Sequence, residues 1–324
     1  MEKIDIVVLW VDDKDLEWRQ LRDVYTNTVS SELTERLYRD YGTFQYWFRM
    51  IEKNAPWVNQ IYLITHGHLP PWLKQDHPKL KIINHRDYIP EMYLPTFNSN
   101  VIELNLHRID SLSENFILFN DDTFVIKPIA PSDYFQGQLP KLSAVYNTIV
   151  PFESFSRVIY NNVEVLNRHF KTKAALKKSW WKFFNIAYGK DMLRNICLLP
   201  WGLTGYVNYH LPSPLKKSTL TRLWELEYDV LHETSQHHVR DNRTDINHWL
   251  LNYWQIETNQ FMPAPTWFGQ YMTVNEIHAL ERAFKNNKTA VVCVNDSQDT
   301  DEKNFQDLLK LFEEYFPEKS SFEQ

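Results

Sequence analysis

Two adjacent carboxylates follow an apolar run in the segment FILFNDDTF, residues 116–124. The run is typical of a buried strand, so Asn120, Asp121 and Asp122 stand where that strand ends. Neighbouring carboxylates repel each other unless a cation is bound, and Mg²⁺ takes one or two carboxylates together with substrate phosphates. A capping turn is the alternative, because Asn and Asp are common in turns. From this segment alone, a metal site and a plain turn both remain open.

Similar polar clusters stand at the ends of the other predicted strands. They are Asp12 and Asp13 after residues 4–10, Thr65 to Gly67 at the end of 59–67, His85 to Asp87 at the end of 79–85, and Asn295 with Asp296 at the end of 288–296. In open parallel sheets, ligands bind beyond the carboxyl ends of the strands. Asn295 and Asp296 therefore offer further oxygen ligands for Mg²⁺, or for Mn²⁺ in its place.

Strands that alternate with helical segments predict an α/β fold with a mostly parallel sheet. Residues 44–53 and 98–109 have helical spacing, and Asn98 or Ser99 is suited to cap the second helix. The later chain predicts helices within 216–257, a strand over 288–296 and a closing helix over 304–317. We divide the chain into an α/β core (1–135), a variable helical region facing acceptor or membrane (136–205) and a segment that completes the core (206–324).

The segment RHFKTKAALKKSWWKFF, residues 168–184, is both basic and aromatic. Such a composition is typical of an amphipathic patch that contacts anionic lipid or an anionic glycan. A solvated basic helix with its aromatic side chains packed inward fits equally well.

Composition limits the classes of protein that this chain can be. A net charge of −6 argues against nucleic acid as the main partner. Only two cysteines occur, so a reducing compartment is expected, and no uncharged stretch approaches the length of a membrane span. We expect a cytoplasmic protein, either free or peripheral at the inner face of the plasma membrane.

Several well-known motifs are missing from the sequence. There is no Gly-rich phosphate loop, dinucleotide fingerprint, nucleophile elbow or zinc pattern. With 7 glycines in all, phosphate would have to be held by Arg, Lys, a metal or helix N-termini. The residues alone indicate an α/β enzyme that binds a metal and a phosphorylated substrate, which fits a nucleotide-sugar enzyme and a phosphatase alike.

Four blocks, in order, resemble the Stealth family of capsular and exopolysaccharide phosphotransferases, which includes the catalytic subunit of the lysosomal-enzyme N-acetylglucosamine-1-phosphotransferase. The blocks are IDIVVLWVDDKDLEW (4–18), the stretch from LYRDYGTFQYWF to ENFILFNDDTF (37–124), the stretch from NYHLPSPLKK to VRDNRTDIN (208–247), and AVVCVNDSQDTDE (290–302). In the first block, Asp13 replaces the glycine that the family usually carries.

The resemblance implies a reaction and a fold. Family members transfer hexose-1-phosphate or N-acetylhexosamine-1-phosphate from a UDP-sugar to a glycan or lipid-linked oligosaccharide, releasing UMP in capsule or exopolysaccharide assembly. The implied fold is a Rossmann-like core of the GT-A glycosyltransferase type with a helical insertion. The alternatives are a retaining glycosyltransferase that releases UDP and a non-catalytic glycan-binding protein.

The resemblance also implies roles for individual residues. The implied catalytic residues are Glu103, Asp122, His210 and Arg240. The implied donor-binding residues are Trp10, Asp12, Arg39, Thr65, Gly67, Asn98, Arg108 and Asn120. Asp121, Asp122, Asn295 and Asp296 are the predicted metal ligands. A histidine titrates near neutrality and suits general acid–base catalysis, while arginine binds phosphate bidentately. Whether His210 or an acidic residue is the general base is left open.

Overall fold

The computed structural model describes residues 3–26, 41–151, 154–171, 174–297 and 300–324. Within these residues the strands are β1 (Ile4–Leu9), β2 (Ile61–Thr65), β3 (Leu80–Asn84), β4 (Asn115–Phe119), β5 (Thr123–Val125), β6 (Phe135–Gln136), β7 (Leu139–Leu142), β8 (Ser213–Lys216), β9 (Met262–Pro263), β10 (Gly269–Thr273) and β11 (Val291–Asn295).

The α-helices alternate with these strands in the first half of the chain. They are α1 (Leu16–Thr26), α2 (Phe44–Asn54), α3 (Ser99–Leu104), α4 (Pro131–Tyr134), α5 (Ser156–His169), α6 (Ala174–Lys178), α7 (Trp180–Phe183), α8 (Met192–Cys197), α9 (Lys217–Leu226), α10 (Tyr228–Ser235), α11 (Trp249–Glu257), α12 (Ile277–Lys285) and α13 (Glu302–Tyr315). The predicted α/β class is confirmed.

A five-stranded sheet in the order β3-β2-β1-β4-β8 forms the centre of the fold. The first four strands are parallel, and Ile6 of β1 pairs with Ile61 on one side and Ile117 on the other. β8 closes the edge antiparallel to β4. β1, β2 and β4 are almost wholly buried, as expected for parallel strands with both faces covered.

The strand order creates a crevice between β1 and β4. From β1 the chain moves outward to β2 and β3, and then returns to place β4 on the opposite side of β1. Loops that leave neighbouring strands in opposite directions separate at such a switch point, where ligands bind in open α/β sheets. The loops after β1 and β4 carry Asp12 and the Asn120 to Asp122 turn.

A smaller sheet in the order β10-β11-β5 adjoins the same turn. β5 begins directly after Asp122, and its Thr123 pairs with Cys293 of β11. The main-chain N–H of Val294 donates to the carbonyl oxygen of Asp122 at 2.9 Å. The turn after β4 is therefore fixed by two sheets at once. β10 and β11 come from the region 206–324, yet the division of the chain at residues 135 and 205 stays a prediction.

Two predicted helical regions are shorter in the structure. α3 begins after Asn98, whose side chain accepts from the N–H of Asn100, and ends at Leu104 before a short 3₁₀ turn. The region 216–257 is divided into α9, α10 and α11, with a loop over residues 236–248. That loop carries Arg240.

One of the two interpretations of residues 168–184, a single solvated basic helix with its aromatic side chains packed inward, is wrong. α5 ends at His169, and two short helices, α6 and α7, cover the described residues from 174 onward. Lys182 is buried and donates to the carbonyl oxygens of Asn259 at 2.9 Å and Phe261 at 2.7 Å. Phe183 is buried, whereas Trp180 and Trp181 are exposed. Among the described residues, no helix combines the length and the apolar character that a bilayer crossing requires.

Candidate active site

A cleft of about 1580 Å³ opens at the carboxyl ends of β1, β4 and β11. All four residues with an implied catalytic role line it, although they come from four different elements. These are Glu103 on α3, Asp122 after β4, His210 before β8 and Arg240 in the loop 236–248. The fold thus brings together side chains that are up to 137 positions apart in the sequence.

Asp122 lies between the two sheets with donors on both sides. Its carboxylate accepts from the Thr123 hydroxyl at 3.1 Å and from the thiol of the buried Cys293 at 3.5 Å. Burial raises the pKa of Asp122, and the nearby His210 acts against that rise. The carboxyl group therefore holds a proton more readily than an exposed aspartate does.

His210 is held in an unusual backbone conformation. Its φ of 53° lies in the left-handed region, which non-glycine residues rarely adopt and which is often found at functional sites. The ring contacts Trp249 and Tyr271 at centroid distances of 5.8 and 5.5 Å. Burial lowers the pKa of His210, while Asp122 raises it. The unfavourable backbone conformation indicates that the position of the His210 ring is important.

Asp122 and His210 form an acid–histidine pair. Burial raises the pKa of the first and lowers the pKa of the second, so their proton affinities approach each other. A carboxylate oxygen of Asp122 and a ring nitrogen of His210 lie within 4.8 Å of each other. Such a pair can take a proton from an incoming hydroxyl group.

A second acid–histidine pair lies in the same cleft. His248, directly before α11, is joined through Nδ1 to Oε2 of Glu103 at 2.7 Å, and both side chains are largely buried. His248 was not among the residues predicted from sequence. It stands one residue past the third resembling block, which ends at Asn247, and its partner is 145 positions away.

Arg240 is anchored to the helix that carries Glu103. Its guanidinium donates to Ser99 Oγ at 2.6 Å and remains exposed in the cleft. The loop itself is fixed by the fully buried Asp245, whose carboxylate accepts from Asn98, Asn100, His237 and the N–H of Asp241. Asn98, expected to bind donor, is thus engaged inside the fold.

The predicted metal ligands line one side of the cleft. Asp121, Asn295 and Asp296 accompany Asp122 there, because β11 runs antiparallel to β5 and ends beside the turn after β4. Asp296 accepts from the Tyr41 hydroxyl. Carboxylate and amide oxygens suit a hard cation such as Mg²⁺. Asp122, His210 and Cys293 also place one ligand atom each within 4.8 Å of one another, a mixed set suited to a softer metal.

The other predicted donor-binding residues have varied positions. Trp10 and Asn120 line the cleft, and the indole of Trp10 stacks on Phe44. The Thr65 hydroxyl donates to the carbonyl of His68 and accepts from Gly67, closing the turn after β2.

Two predicted donor-binding residues, Asp12 and Arg108, make contacts outside the lining of the cleft, and a third lies outside the described residues. The N–H of Asp12 donates to His68 Nε2 at 2.8 Å. The guanidinium of Arg108 lies over the Trp224 ring and donates to Asn105, away from the described lining of the cleft. Arg39 lies outside the described residues.

Two acid–histidine pairs and an arginine line a cleft at the switch point of an α/β sheet, and these side chains are suited to acid–base-assisted group transfer. A profile of the Stealth protein conserved region 2 matches residues 37–142. The capsular polysaccharide phosphotransferase of Streptococcus pneumoniae is 44% identical over 332 residues, covering 100% of this chain and 99% of the relative.

Two further relatives match this chain over a similar length. The exopolysaccharide phosphotransferase of Lactiplantibacillus plantarum is 39% identical, covering 99% of this chain and 96% of the relative. The receptor polysaccharide phosphotransferase of Streptococcus gordonii is 37% identical, covering 100% and 99%. The chain belongs to the Stealth family of bacterial capsule phosphotransferases, and it is an enzyme that transfers phosphate-containing groups. The family expected from the four blocks is confirmed.

Proposed function

We propose that this enzyme transfers a hexose-1-phosphate or N-acetylhexosamine-1-phosphate group from a UDP-sugar to a hydroxyl group of a glycan in capsule or exopolysaccharide biosynthesis. The acceptor is a polysaccharide or a lipid-linked oligosaccharide. The observation that carries the proposal is the pairing of Asp122–His210 with Glu103–His248 and Arg240 in one large cleft. The relatives named above are phosphotransferases of surface polysaccharides, which agrees with it.

The proposed step forms one P–O bond and breaks another. The acceptor oxygen attacks the β-phosphorus of the UDP-sugar, and the bond from that phosphorus to the oxygen bridging the two phosphates breaks. UMP leaves, the product is a phosphodiester, and the anomeric C–O bond is untouched. The Asp122–His210 pair receives the proton of the acceptor hydroxyl. Proximity of the exchanging groups makes this pair the strongest candidate for the base.

Arg240 and the second pair suit the phosphate groups. The exposed guanidinium of Arg240 can bind phosphate oxygens bidentately and offset the charge that develops during transfer. Because Nδ1 of His248 is engaged with Glu103, Nε2 is the ring nitrogen left to contact a phosphate oxygen. In this proposal Glu103 orients His248, and both stabilise charge rather than accept the proton of the acceptor.

We propose Mg²⁺ as the cofactor, with Mn²⁺ as a substitute. Asp121, Asp122, Asn295 and Asp296 fit it, because the turn after β4 and the end of β11 place four oxygen-bearing side chains on one side of the cleft. When bound, the cation neutralises negative charge on the diphosphate and the leaving UMP. The softer set at Cys293 makes a second arrangement testable, since Cys293→Ser would lower the affinity for metal if the thiolate were a ligand.

We further propose that the central sheet is a core of the GT-A type. Four parallel strands with an antiparallel strand beside β4, and an acidic turn at the switch point, support that assignment. Nucleotide would then lie over the carboxyl ends of β1 and β4.

The deciding experiment identifies the nucleotide that is released. The purified enzyme is incubated with UDP-sugars, Mg²⁺ and a glycan acceptor, and UMP is separated from UDP by chromatography. UMP is expected, and UDP would instead support retaining glycosyl transfer. Asp122→Asn and His210→Gln should each lower turnover by at least about 100-fold, the range of a lost acid–base group. The exposed matched controls Asp76→Asn and His278→Gln should leave it unchanged.

A further inference from the structure

Exposed tryptophan is concentrated in one segment of the chain. In the described chain, which includes all twelve tryptophans, only Trp180, Trp181, Trp201 and Trp267 are exposed, at 64%, 44%, 59% and 46%. The first three lie within 22 residues of sequence. Three aliphatic residues in the same stretch are also exposed: Ile186 at 89%, Leu193 at 59% and Ile196 at 49%. These seven residues are called the tryptophan surface below.

The packing of α8 explains why these side chains face outward. The buried Asn195 donates to the carbonyl oxygens of Phe183 at 2.7 Å and Ala144 at 2.8 Å, fastening α8 beside the end of α7. Leu193 and Ile196 flank that anchor on the helix and are left in solvent. Exposed apolar patches of this kind mark interaction sites.

Trp267 joins the same surface from a distant part of the sequence. The N–H of Thr266 donates to the carbonyl of Ala187 at 3.1 Å, which ties the two segments together. The Trp267 ring lies against Gly189, where an added Cβ would stand 3.7 Å from it. The surface is therefore assembled by tertiary structure rather than by one helix.

The charge around the tryptophan surface is opposite in sign to that of the whole protein. Residues 171–205 contain seven Lys or Arg and one acidic residue, Asp191, in a chain with a net charge of −6. Lys177, Lys178, Lys190 and Arg194 are exposed. Lys182 is excluded, because its ammonium group is held by the carbonyls of Asn259 and Phe261.

We propose that the tryptophan surface is a docking site for an anionic phospholipid membrane. Tryptophan rings favour the headgroup level, where an apolar body meets water, and short apolar side chains can enter the acyl boundary beside them. Lysines around the rings are attracted to anionic headgroups. A glycan would engage the rings but would leave exposed Ile186, Leu193 and Ile196 unexplained.

The tryptophan surface adjoins the cleft, and this position suggests what membrane docking would do. Arg194, on α8 between Leu193 and Asn195, also lines the cleft and donates to Asn147 at 2.8 Å. Val150, which is 60% exposed, lines the cleft as well. Docking would present the cleft to a lipid-linked acceptor at the membrane. This last step rests on the proposed function, whereas membrane binding itself does not.

Co-sedimentation of the full chain with vesicles tests the proposal. Binding to vesicles of phosphatidylglycerol mixed with phosphatidylcholine is expected to exceed binding to phosphatidylcholine alone. The double variant Trp180→Ser with Trp181→Ser should weaken binding by at least about tenfold. Replacing Lys177, Lys178 and Lys190 by Gln should weaken it roughly fivefold for each lysine. The control Tyr228→Ser removes an exposed aromatic ring on α10 and should change nothing.

Other outcomes would overturn the inference. Wild-type protein that stays in the supernatant with anionic vesicles contradicts it, and so does unchanged binding of the tryptophan variant. A dimer in solution that Trp180→Ser disrupts, without vesicle binding, would assign the surface to a second copy of the chain. UMP release on a soluble acceptor is measured on the same proteins. If the wild-type protein binds vesicles but releases no UMP, the result counts against the proposed function alone.

Discussion

At the scale of residues, the two acid–histidine pairs have different surroundings. Asp122 and His210 lie against a buried thiol and two aromatic rings, and burial moves their pKa values toward each other. Glu103 and His248 are joined directly at 2.7 Å. The first pair lies within 4.8 Å, whereas the direct contact of the second pair favours a fixed ring orientation.

The direct contact predicts that Glu103 and His248 act as one unit. Glu103→Gln and His248→Gln are each expected to lower kcat for UMP release by roughly 100-fold. The double variant should lose little more than either single variant, since the second change removes a partner that has already lost its function. Losses that multiply in the double variant would show that the two residues act independently. Circular dichroism checks that all three proteins remain folded.

At the scale of elements, Asp245 joins the Arg240 loop to α3. Its carboxylate accepts from the amide groups of Asn98 and Asn100, and from His237 on the loop side. Asp245 is fully buried, so water cannot take the place of its carboxylate oxygens as acceptor for these groups. Together with the contact of Arg240 with Ser99, this side chain sets the spacing of Arg240 from Glu103.

Asp245→Asn places an amide NH₂ where the carboxylate accepts from Asn98 and Asn100. Unfolding free energy should fall by about 1–3 kcal/mol, and KM for the donor should rise as Arg240 shifts. Adding Asn98→Asp restores a donor–acceptor pair and should recover part of both losses. The control Asp307→Asn weakens the surface ion pair with Lys310 and should cost less than about 1 kcal/mol. Normal KM in Asp245→Asn would refute the positioning role.

At the scale of the whole molecule, the end of the chain is clamped onto an early helix. The guanidinium of Arg49 on α2 contacts both oxygens of Glu323, at 3.0 and 2.9 Å, and donates to the carbonyl of Phe316 at 2.9 Å. Side-chain exposure is 8% for Arg49 and 2% for Glu323. The contact joins two residues that are 274 positions apart in the sequence.

Arg49→Met should strongly destabilise the fold. Removing one partner leaves the Glu323 carboxylate buried without its counter-charge, which costs about 3–5 kcal/mol in comparable pairs. Denaturant unfolding followed by tryptophan fluorescence measures the change. Arg222→Met is the control, because Arg222 and Glu225 are both 58% exposed and such a pair contributes about 0.5 kcal/mol. Equal effects of the two substitutions would contradict the clamp.

Acid should weaken the fold through a cluster of histidines at the carboxyl ends of β2 and β3. Burial, with smaller contributions from His66 and His68, lowers the pKa of His85 to about 3. Because this folded-state pKa lies below the ordinary value of about 6.5, the stabilisation is fully present above pH 6.5 and is lost as pH falls toward 3. At pH 5 the expected loss is about 2 kcal/mol.

Unfolding free energies of wild type and His85→Gln at pH 8 and pH 5 check this expectation. The variant should lose less stability between the two values, since Gln does not titrate. His278→Gln is the control. Because the His278 side chain is 82% exposed, this substitution should leave the pH dependence of the unfolding free energy as it is in wild type. A variant that follows the wild-type curve would show that His85 is not the responsible group.

Local patterns were sufficient for much of the fold and part of the site. Apolar runs predicted β1 to β4 and β11 within a few residues, because buried parallel strands need continuous hydrophobic sequence. Residue type narrowed the helix cap to Asn98 or Ser99, and the structure shows that Asn98 is the cap. β5 and β8 were not predicted, since they have three and four residues and β8 contains Pro214. An edge position next to β4 tolerates that proline.

The sequence by itself determined the α/β class, the acidic turn after β4 and membership in the family, because each is encoded in contiguous residues. Tertiary structure alone decided that Glu103 meets His248, that Asp245 fixes the Arg240 loop, and that Lys182 is buried while Trp180 is exposed. These depend on contacts between segments far apart in the chain. Periodicity and propensity describe neighbours along the sequence, so they carry no information on such contacts.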